Sequence, residues 1–578
     1  MPQRPREGPF FMGRGHVLGD DRHMSQEPPD APDVAETPAV PATPPRRLPG
    51  VLAPLEGPVF RSLWITWAAA NLTMWMNDVA AAWLMTSLTT SPVMVALVQT
   101  ASTLPVFLLG LPSGALADIL DRRRYYAATQ IWVASVALVL ALLALAGGLT
   151  APLLLALTFA NGIGLALRWP VFSAIVPSVV ARSDLPSALA LNGISMNLAR
   201  VIGPTLAGAL LAGAGPAAVF TLNAVLAVVS AVLILRWRSQ PQVSALPGER
   251  FVGAMRVGLQ HVAQSPRMRV VLVRIFAFFL QAAALMSLLP LVALQLHGAG
   301  PGTFTVMLAA IGAGAIAAAL AFPWLRARFG RDAFVRWATV LHAGLSVVVV
   351  LVPELWLALP ALVLLGAAWI STANTLSVSA QMALPDWVRA RGMSIYQMAL
   401  MGGSAAGSLL WGQVASLASV SAAVVAAAVA GPLFLLATRH WSVEGGEEVD
   451  HSPAVPPPSP VPPGSIDGDE GPVMVTVEYL VDPARAGEFA RVMQATRQAR
   501  LRQGVLSWGL FRDASVPGRY VEYFVDESWT EHQRRLARFT AADADLREQR
   551  LAFHRGSEPP RVQRYVAEAP DGQSGLSL

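Results

Sequence analysis

The chain has 578 residues, 54% hydrophobic and only 14% charged, with a net charge of +5 and a mean hydropathy of +0.49. Soluble proteins carry about 25% charged residues, so this composition describes a membrane protein with polar additions. There is no cysteine, which excludes disulfides, thiolate catalysis and zinc–thiolate sites; all 42 basic residues are arginine, and nothing in their distribution points to nucleic acid.

Residues 1–57 read as a disordered cytoplasmic tail: residues 1–50 are rich in Pro, Arg, Asp and Glu and lack the apolar h-region of a signal peptide. A bilayer crossing needs about 20 apolar residues. Runs of that length are predicted at 60–88, 93–117, 125–147, 152–180, 187–213 and 216–236, giving a first half over 58–238. A polar loop over 239–269 follows, with an amphipathic helix around Phe251–Ala263. The second half, 270–440, holds runs at 270–295, 303–325, 333–352, 355–383, 391–416 and 419–438. The expected fold is an all-α membrane protein of twelve transmembrane helices in two six-helix halves.

Loop charge supports this count. With a cytoplasmic N-terminus, the inner loops collect Arg122, Arg123, Arg124, Arg182, Arg236, Arg238, Arg250, Arg256, Arg267, Arg269, Arg326, Arg328, Arg331, Arg389, Arg391 and Arg439. The outer loops near Thr90, Gly148, Gly215, Gly300, Pro353 and Leu417 hold none. Such asymmetry places both termini in the cytoplasm.

Between spans two and three the chain reads GALADILDRRR, from Gly114 to Arg124. Gly114 is expected to let two helices approach closely, Asp118 to accept from a neighbouring helix N-terminus, and Arg122, Arg123 and Arg124 to hold the loop inside. The pattern G-x-L-x-D with trailing arginines resembles the loop between helices two and three of the major facilitator superfamily of transporters. An ordinary basic loop is the plainer reading. A weak internal repeat matches that superfamily's architecture: Gly203-Pro204-Thr-Leu-Ala-Gly208 in span five has a counterpart in Gly402-Gly-Ser-Ala-Ala-Gly407 of span eleven. The stretch from Asn197 through Arg200 to Gly208 resembles the fifth-helix signature of superfamily exporters. Pro204 permits a bend there, and Gly203, Gly208, Gly402 and Gly407 permit tight packing.

Ionisable groups deep in a span are candidates for function. Asp78, Arg168 and Arg200 stand out; at the helical rise Arg168 and Arg200 lie roughly 18–20 Å from the inner face and Asp78 about 24 Å. Asp78 is expected to pair with Arg168 or Arg200, as a proton-coupling acid in a site of net positive charge or as a structural ion pair. The resemblance implies that spans one, four, seven and ten line a central cavity, exposing Asp78 and Arg168. Asn197, Trp169 and Gln281 join the candidate substrate and proton pathway. Trp75, Asn77, Phe172, Asn374, Gln381, Tyr396 and Gln397 are further groups for its wall.

Residues 441–472 form an acidic, proline-rich linker. Over 473–568 the predicted order is βαββαβ, a small ferredoxin-like α+β domain with one long helix over Ser528–His554; 569–578 is a disordered end. Its densest motif, Trp529-Thr-Glu531-His532 with Arg538 following, resembles the C-terminal extensions of the transmembrane secretion effector branch, the enterobactin-exporter-like and macrolide-efflux-like members of the superfamily. The domain itself looks like the antibiotic-biosynthesis monooxygenase fold. A solvated charged face around His532 is the simpler reading, and no nucleophile–base pair or metal cluster is spaced for catalysis.

What the resemblance implies is a proton-coupled exporter of a siderophore, drug or other secondary metabolite, in the bacterial inner membrane and working by alternating access. Its partners would be a small-molecule substrate, the lipid bilayer and a second copy met through the C-terminal domain. No cofactor and no metal are expected. The alternatives are a membrane-tethered oxygenase and a substrate sensor, with the activity in the C-terminal domain.

Overall fold

The computed structural model describes residues 48, 50–181, 184–237, 251–295, 300–443, 450, 452, 454–456 and 466–568. Apart from 48 and 50–57, the expected N-terminal tail lies outside them, as do the end 569–578 and much of the linker.

Among the described residues, nine segments are long and apolar enough to cross a bilayer. One of them is two crossings: α5 (Leu185–Arg236) breaks at Gly215, whose φ of +77° favours glycine. Two further helices have the length with a more polar composition. α1 (Pro58–Leu88) carries Asn71, Asn77 and Asp78, and α11 (Asp386–Leu417) carries Arg389, Arg391, Ser404 and Ser408. The others are α2 (Pro92–Ile119), α3 (Arg122–Leu145), α4 (Ala151–Val179), α7 (Pro266–Gln295), α8 (Pro301–Arg328), α9 (Arg331–Leu351), α10 (Leu355–Met382) and α12 (Val420–Ala437). Together they make twelve crossings in two halves, joined by the amphipathic helix α6 (Phe251–Ala263). Pro58, Pro92 and Pro301 stand at the starts of α1, α2 and α8, where a missing N–H is no loss.

The halves repeat one packing plan. α1 packs on α5 and α7 on α11, while α5–α8 and α2–α11 join the halves. Glycines make these crossings close. A Cβ on Gly203 would lie 2.6 Å from the Cβ of Trp75 in α1, and one on Gly208 1.7 Å from Thr305 Oγ1 in α8. A Cβ on Gly402 would meet Phe107 in α2 at 2.7 Å, and one on Gly407 the Leu280 carbonyl of α7 at 2.3 Å. The repeat uses the same two kinds of contact, but the equal five-residue spacing misled: Gly203 and Gly407 face inside their own halves, Gly208 and Gly402 face across. α5 stays helical through Pro204, with its only non-helical residue at Gly215.

One apolar core, including Met85, Val95, Phe220, Leu288, Phe304 and Trp411, joins both halves at their arginine-free ends. At the arginine-rich ends each half keeps its own cluster, around Phe60, Tyr126 and Ile175 in the first and Met268, Leu384 and Tyr396 in the second. The halves are sealed at one end and parted at the other. Gly114 therefore does not serve the expected close approach: no atom lies within 4 Å of where its Cβ would sit, because it faces the parting. Asp121 caps α3 by accepting from the Arg124 N–H at 2.8 Å, and Arg123 donates to the Leu235 carbonyl at the end of α5. The side chain of Asp118 lies outside the described ones.

The C-terminal domain has strands β1 (Val473–Leu480), β2 (Ser507–Arg512), β3 (Arg519–Asp526) and β4 (Val562–Val566) in one antiparallel sheet, ordered β2-β3-β1-β4. This is the ferredoxin-like order. Val475, Tyr479 and Phe524 pack on Phe489 and Met493 of α13 (Ala486–Arg502). The single helix expected over Ser528–His554 is two, α14 (Trp529–Ala537) and α15 (Ala541–Leu551), because Thr540 and Asp543 form a capping box that starts a new helix.

Candidate functional site

A cavity of about 730 Å³ lies between the halves. It runs from Phe304 and Met286 at the sealed end to Gly114, Arg391 and Ser394 at the parted end. Asp78 on α1, Trp169 on α4 and Arg200 on α5 line it, together with Trp75, Asn374, Gln381, Tyr396 and Gln397.

The expected ion pair is absent among the described residues. Asp78 instead accepts from Ser102 of α2, 2.8 Å away. Arg200 sits between two indoles, 5.5 Å from the Trp75 ring centroid and 4.8 Å from that of Trp369 on α10. Both distances are within cation–π reach, so this contact bridges the halves across the cavity. Arg168 is turned away from it. Its guanidinium donates to the Ala70 carbonyl at 2.9 Å and faces a separate void of about 20 Å³ shared with Asn77, Asn161 and Asn223. Successive helical residues point about 100° apart, which is how Trp169 meets the cavity while Arg168 packs between helices. Gln281 also leaves the pathway, pressed on Gly431 of α12. Phe172 stacks on Trp67 at 3.9 Å, outside the cavity. The side chain of Asn197 lies outside the described ones.

Sequence reasoning missed Ser102, Trp369 and Arg391. It also missed six lining methionines, Met74, Met196, Met255, Met286, Met393 and Met401. Thioethers adapt to irregular shapes, but scattered along four membrane helices and one loop helix they leave no periodic signal. Among the described residues the wall thus offers one carboxylate and two guanidiniums in a soft, aromatic surface.

In the C-terminal domain His532 is 1% exposed, so the expected solvated face is wrong. Its Nδ1 lies 2.7 Å from Asp526, and its Nε2 accepts from Arg564 Nε at 3.2 Å. That assigns the proton to Nδ1. Arg535 grips the same Asp526 carboxylate at 2.9 and 3.0 Å. Burial pushes the Asp526 carboxyl up, but Arg535 and the His532 hydrogen bond outweigh it and hold it at about 2. Trp529 is buried, and Glu531 pairs with Arg534 and Arg538. His554 is spent on Leu480 N and the Glu558 carbonyl. The side chains of the motif are engaged with one another and with the sheet inside the domain. A carboxyl with a depressed folded pKa stabilises above its unfolded value of 3.8 and loses that contribution as pH falls. Protection of the amides over 473–566 from hydrogen exchange, taken relative to the intrinsic rate at each pH, is therefore expected to fall between about pH 4 and pH 2 in the native chain, and to fall less steeply in Asp526→Asn, where among the described residues only Glu522 and Asp513 remain as carboxyls held below their usual range.

A family model described as transmembrane secretion effector matches residues 49–571. Solved structures with this architecture include an auto-inhibited POT family peptide transporter (TM-score 0.57, 14% identity, covering 69% of this chain and 99% of that one). Another is a POT family transporter in complex with a thioalcohol-conjugated peptide (0.55, 12%, 67% and 96%). The nucleoside transporter NupG is also similar (0.52, 14%, 66% and 98%). At these identities the likeness is one of fold. No curated protein sequence matches significantly.

Proposed function

Because the chain belongs to the transmembrane secretion effector family, and so is a multi-pass membrane transporter of the major facilitator type, we propose that it is a proton-coupled exporter of an aromatic anion such as a siderophore or drug. The observation that carries this reading is the presence in one cavity wall of an acid, Asp78, and, unpaired with it, an arginine, Arg200, held between Trp75 and Trp369. An isolated carboxylate in such a place is suited to taking up and releasing a proton. The guanidinium with its flanking rings suits a planar carboxylate, phenolate or catecholate. The arginine asymmetry supports a bacterial inner membrane setting with the parted ends toward the cytoplasm. The chain lacks a phosphate-cradling G-x-x-x-x-G-K-[ST] motif, which argues against ATP as the driving force. Occupation of His532, Asp526 and Arg535 by one another weighs against an oxygenase in the C-terminal domain.

Inside-out vesicles test the proposal. They are expected to accumulate anionic aromatic compounds when their lumen is acidified, and to lose them on adding a protonophore. Accumulation of cations alone would remove the charge-based part of the reading, and no gradient dependence would remove the coupling.

A further inference from the structure

We propose that the C-terminal domain holds α6 as a wedge in the mouth of the cavity, keeping the arginine-rich ends of the two halves apart. The geometry stands by itself; its consequence for flux rests on the transporter reading above.

α6 touches both halves, packing on α2 of the first and on α7 and α11 of the second. Its Ala254 and Met255 line the cavity, as do Gly114 of α2 and Ser394 of α11. α2 and α11 meet one another nearer the membrane centre, where a Cβ on Gly110 would lie 2.7 Å from the Met398 side chain. Further along, α6 lies against α11, with Gly258 so close to Arg391 that a Cβ would be 3.1 Å from its Cβ. The wedge thus occupies the place where the two helices part.

The C-terminal domain grips the other side of α6. Arg256 and Glu527 form an ion pair at 2.6 Å. Gln260 Nε2 donates to the Val505 carbonyl at 3.1 Å, and His261 Nδ1 lies 3.2 Å from the Arg502 carbonyl. Gly504, at φ +102°, brings the turn after α13 onto Val257, where a Cβ would fall 2.7 Å from Cγ2. Glycine is needed there both for the backbone and for the space. A second hold reaches the start of α11: the Arg538 guanidinium lies 4.8 Å from the Trp387 ring, which His261 meets edge-on at 5.4 Å. Alternating access requires the parted ends to close. Closure brings α2 and α11 together where α6 now lies, so α6 must shift, and every contact to the C-terminal domain opposes that shift. The domain acts as a brake that favours the structure seen here.

The native chain has no cysteine, so spin labels at Leu120→Cys and Met382→Cys, exposed residues at the ends of α2 and α10, read the separation of the halves without background. Glu527→Arg sets two arginines face to face. It is expected to raise the short-distance, closed population about three- to tenfold. Arg256→Glu together with Glu527→Arg restores the pair and is expected to return the distribution to that of the native sequence. An unchanged distribution in Glu527→Arg overturns the wedge, and so does an equal shift in the single and double variants. The readout needs no substrate. A shift without flux in any vesicle would refute the transporter reading and leave the wedge standing.

Discussion

Asp78→Asn is expected to reduce gradient-driven accumulation in inside-out vesicles to background while leaving the amount of folded protein unchanged. Among the described residues Asp78 is the only acid in the cavity wall, and it bonds Ser102, whose hydroxyl can bond an amide as well as a carboxylate. The substitution therefore removes a proton carrier without stranding a buried partner. Exchange of labelled for unlabelled substrate at equal pH on both sides should persist, because it needs the rocking of the halves and not the proton. Loss of both activities would make Asp78 a binding or folding residue. Retention of both would remove it from the mechanism.

Arg200→Gln is expected to raise the KM for anionic compounds about ten- to hundredfold, the range of one or two charge-assisted hydrogen bonds. Neutral compounds of similar shape should be far less affected. Arg200→Lys should fall between, since it keeps the charge and loses the planar stack between Trp75 and Trp369. Transport measured against substrate concentration separates these effects: a fall in kcat alone would mean that Arg200 serves the movement of the halves, which it also bridges. An equal loss for neutral and anionic compounds would deny it a role in charge recognition.

Much of the fold was legible because a bilayer imposes one strong rule. Every crossing must be about 20 residues long and largely apolar, and the span ends in the structure fall within a few residues of the runs read from the sequence. Even the amphipathic helix at Phe251–Ala263 was recovered, and the break between spans five and six falls at Gly215. α1 and α11 were read as apolar runs with the rest, although their composition is more polar than that of the others. Their polar residues include Asp78 of α1 and Tyr396 and Gln397 of α11, which line the cavity.

The site was less legible, and the reason is geometric. Position along a sequence fixes depth in the membrane but not the direction a side chain points around its helix. Depth put Asp78, Arg168 and Arg200 near one level, which made an ion pair plausible. Direction then separated them, sending Arg168 to Ala70 and leaving Asp78 to Ser102. The amphipathic pattern that locates faces on soluble helices is weak in helices apolar on nearly every side, so Trp369 and the six methionines carried no mark. In the C-terminal domain the sequence placed Glu531 and His532 correctly on one helix, while Arg538 caps the end of that helix instead of lying within a longer one. Whether such a helix is solvated or buried depends on Asp526 and Arg564 from the sheet, which lie 6 and 32 residues from His532. The hold of that domain on α6 joins residues 241 to 271 apart in sequence and has no local signature at all.

The most direct test of alternating access is the side from which the cavity can be reached. Ser377→Cys places a single thiol in the cavity wall of an otherwise cysteine-free chain. A membrane-impermeant maleimide should label it in inside-out vesicles at rest, where the arginine-rich face is outermost, and leave it untouched in right-side-out vesicles. With a proton gradient and substrate, labelling should appear in the right-side-out vesicles and fall in the inside-out ones. Flux that proceeds while the thiol is never reached from the second side would contradict a cavity that opens to each face in turn.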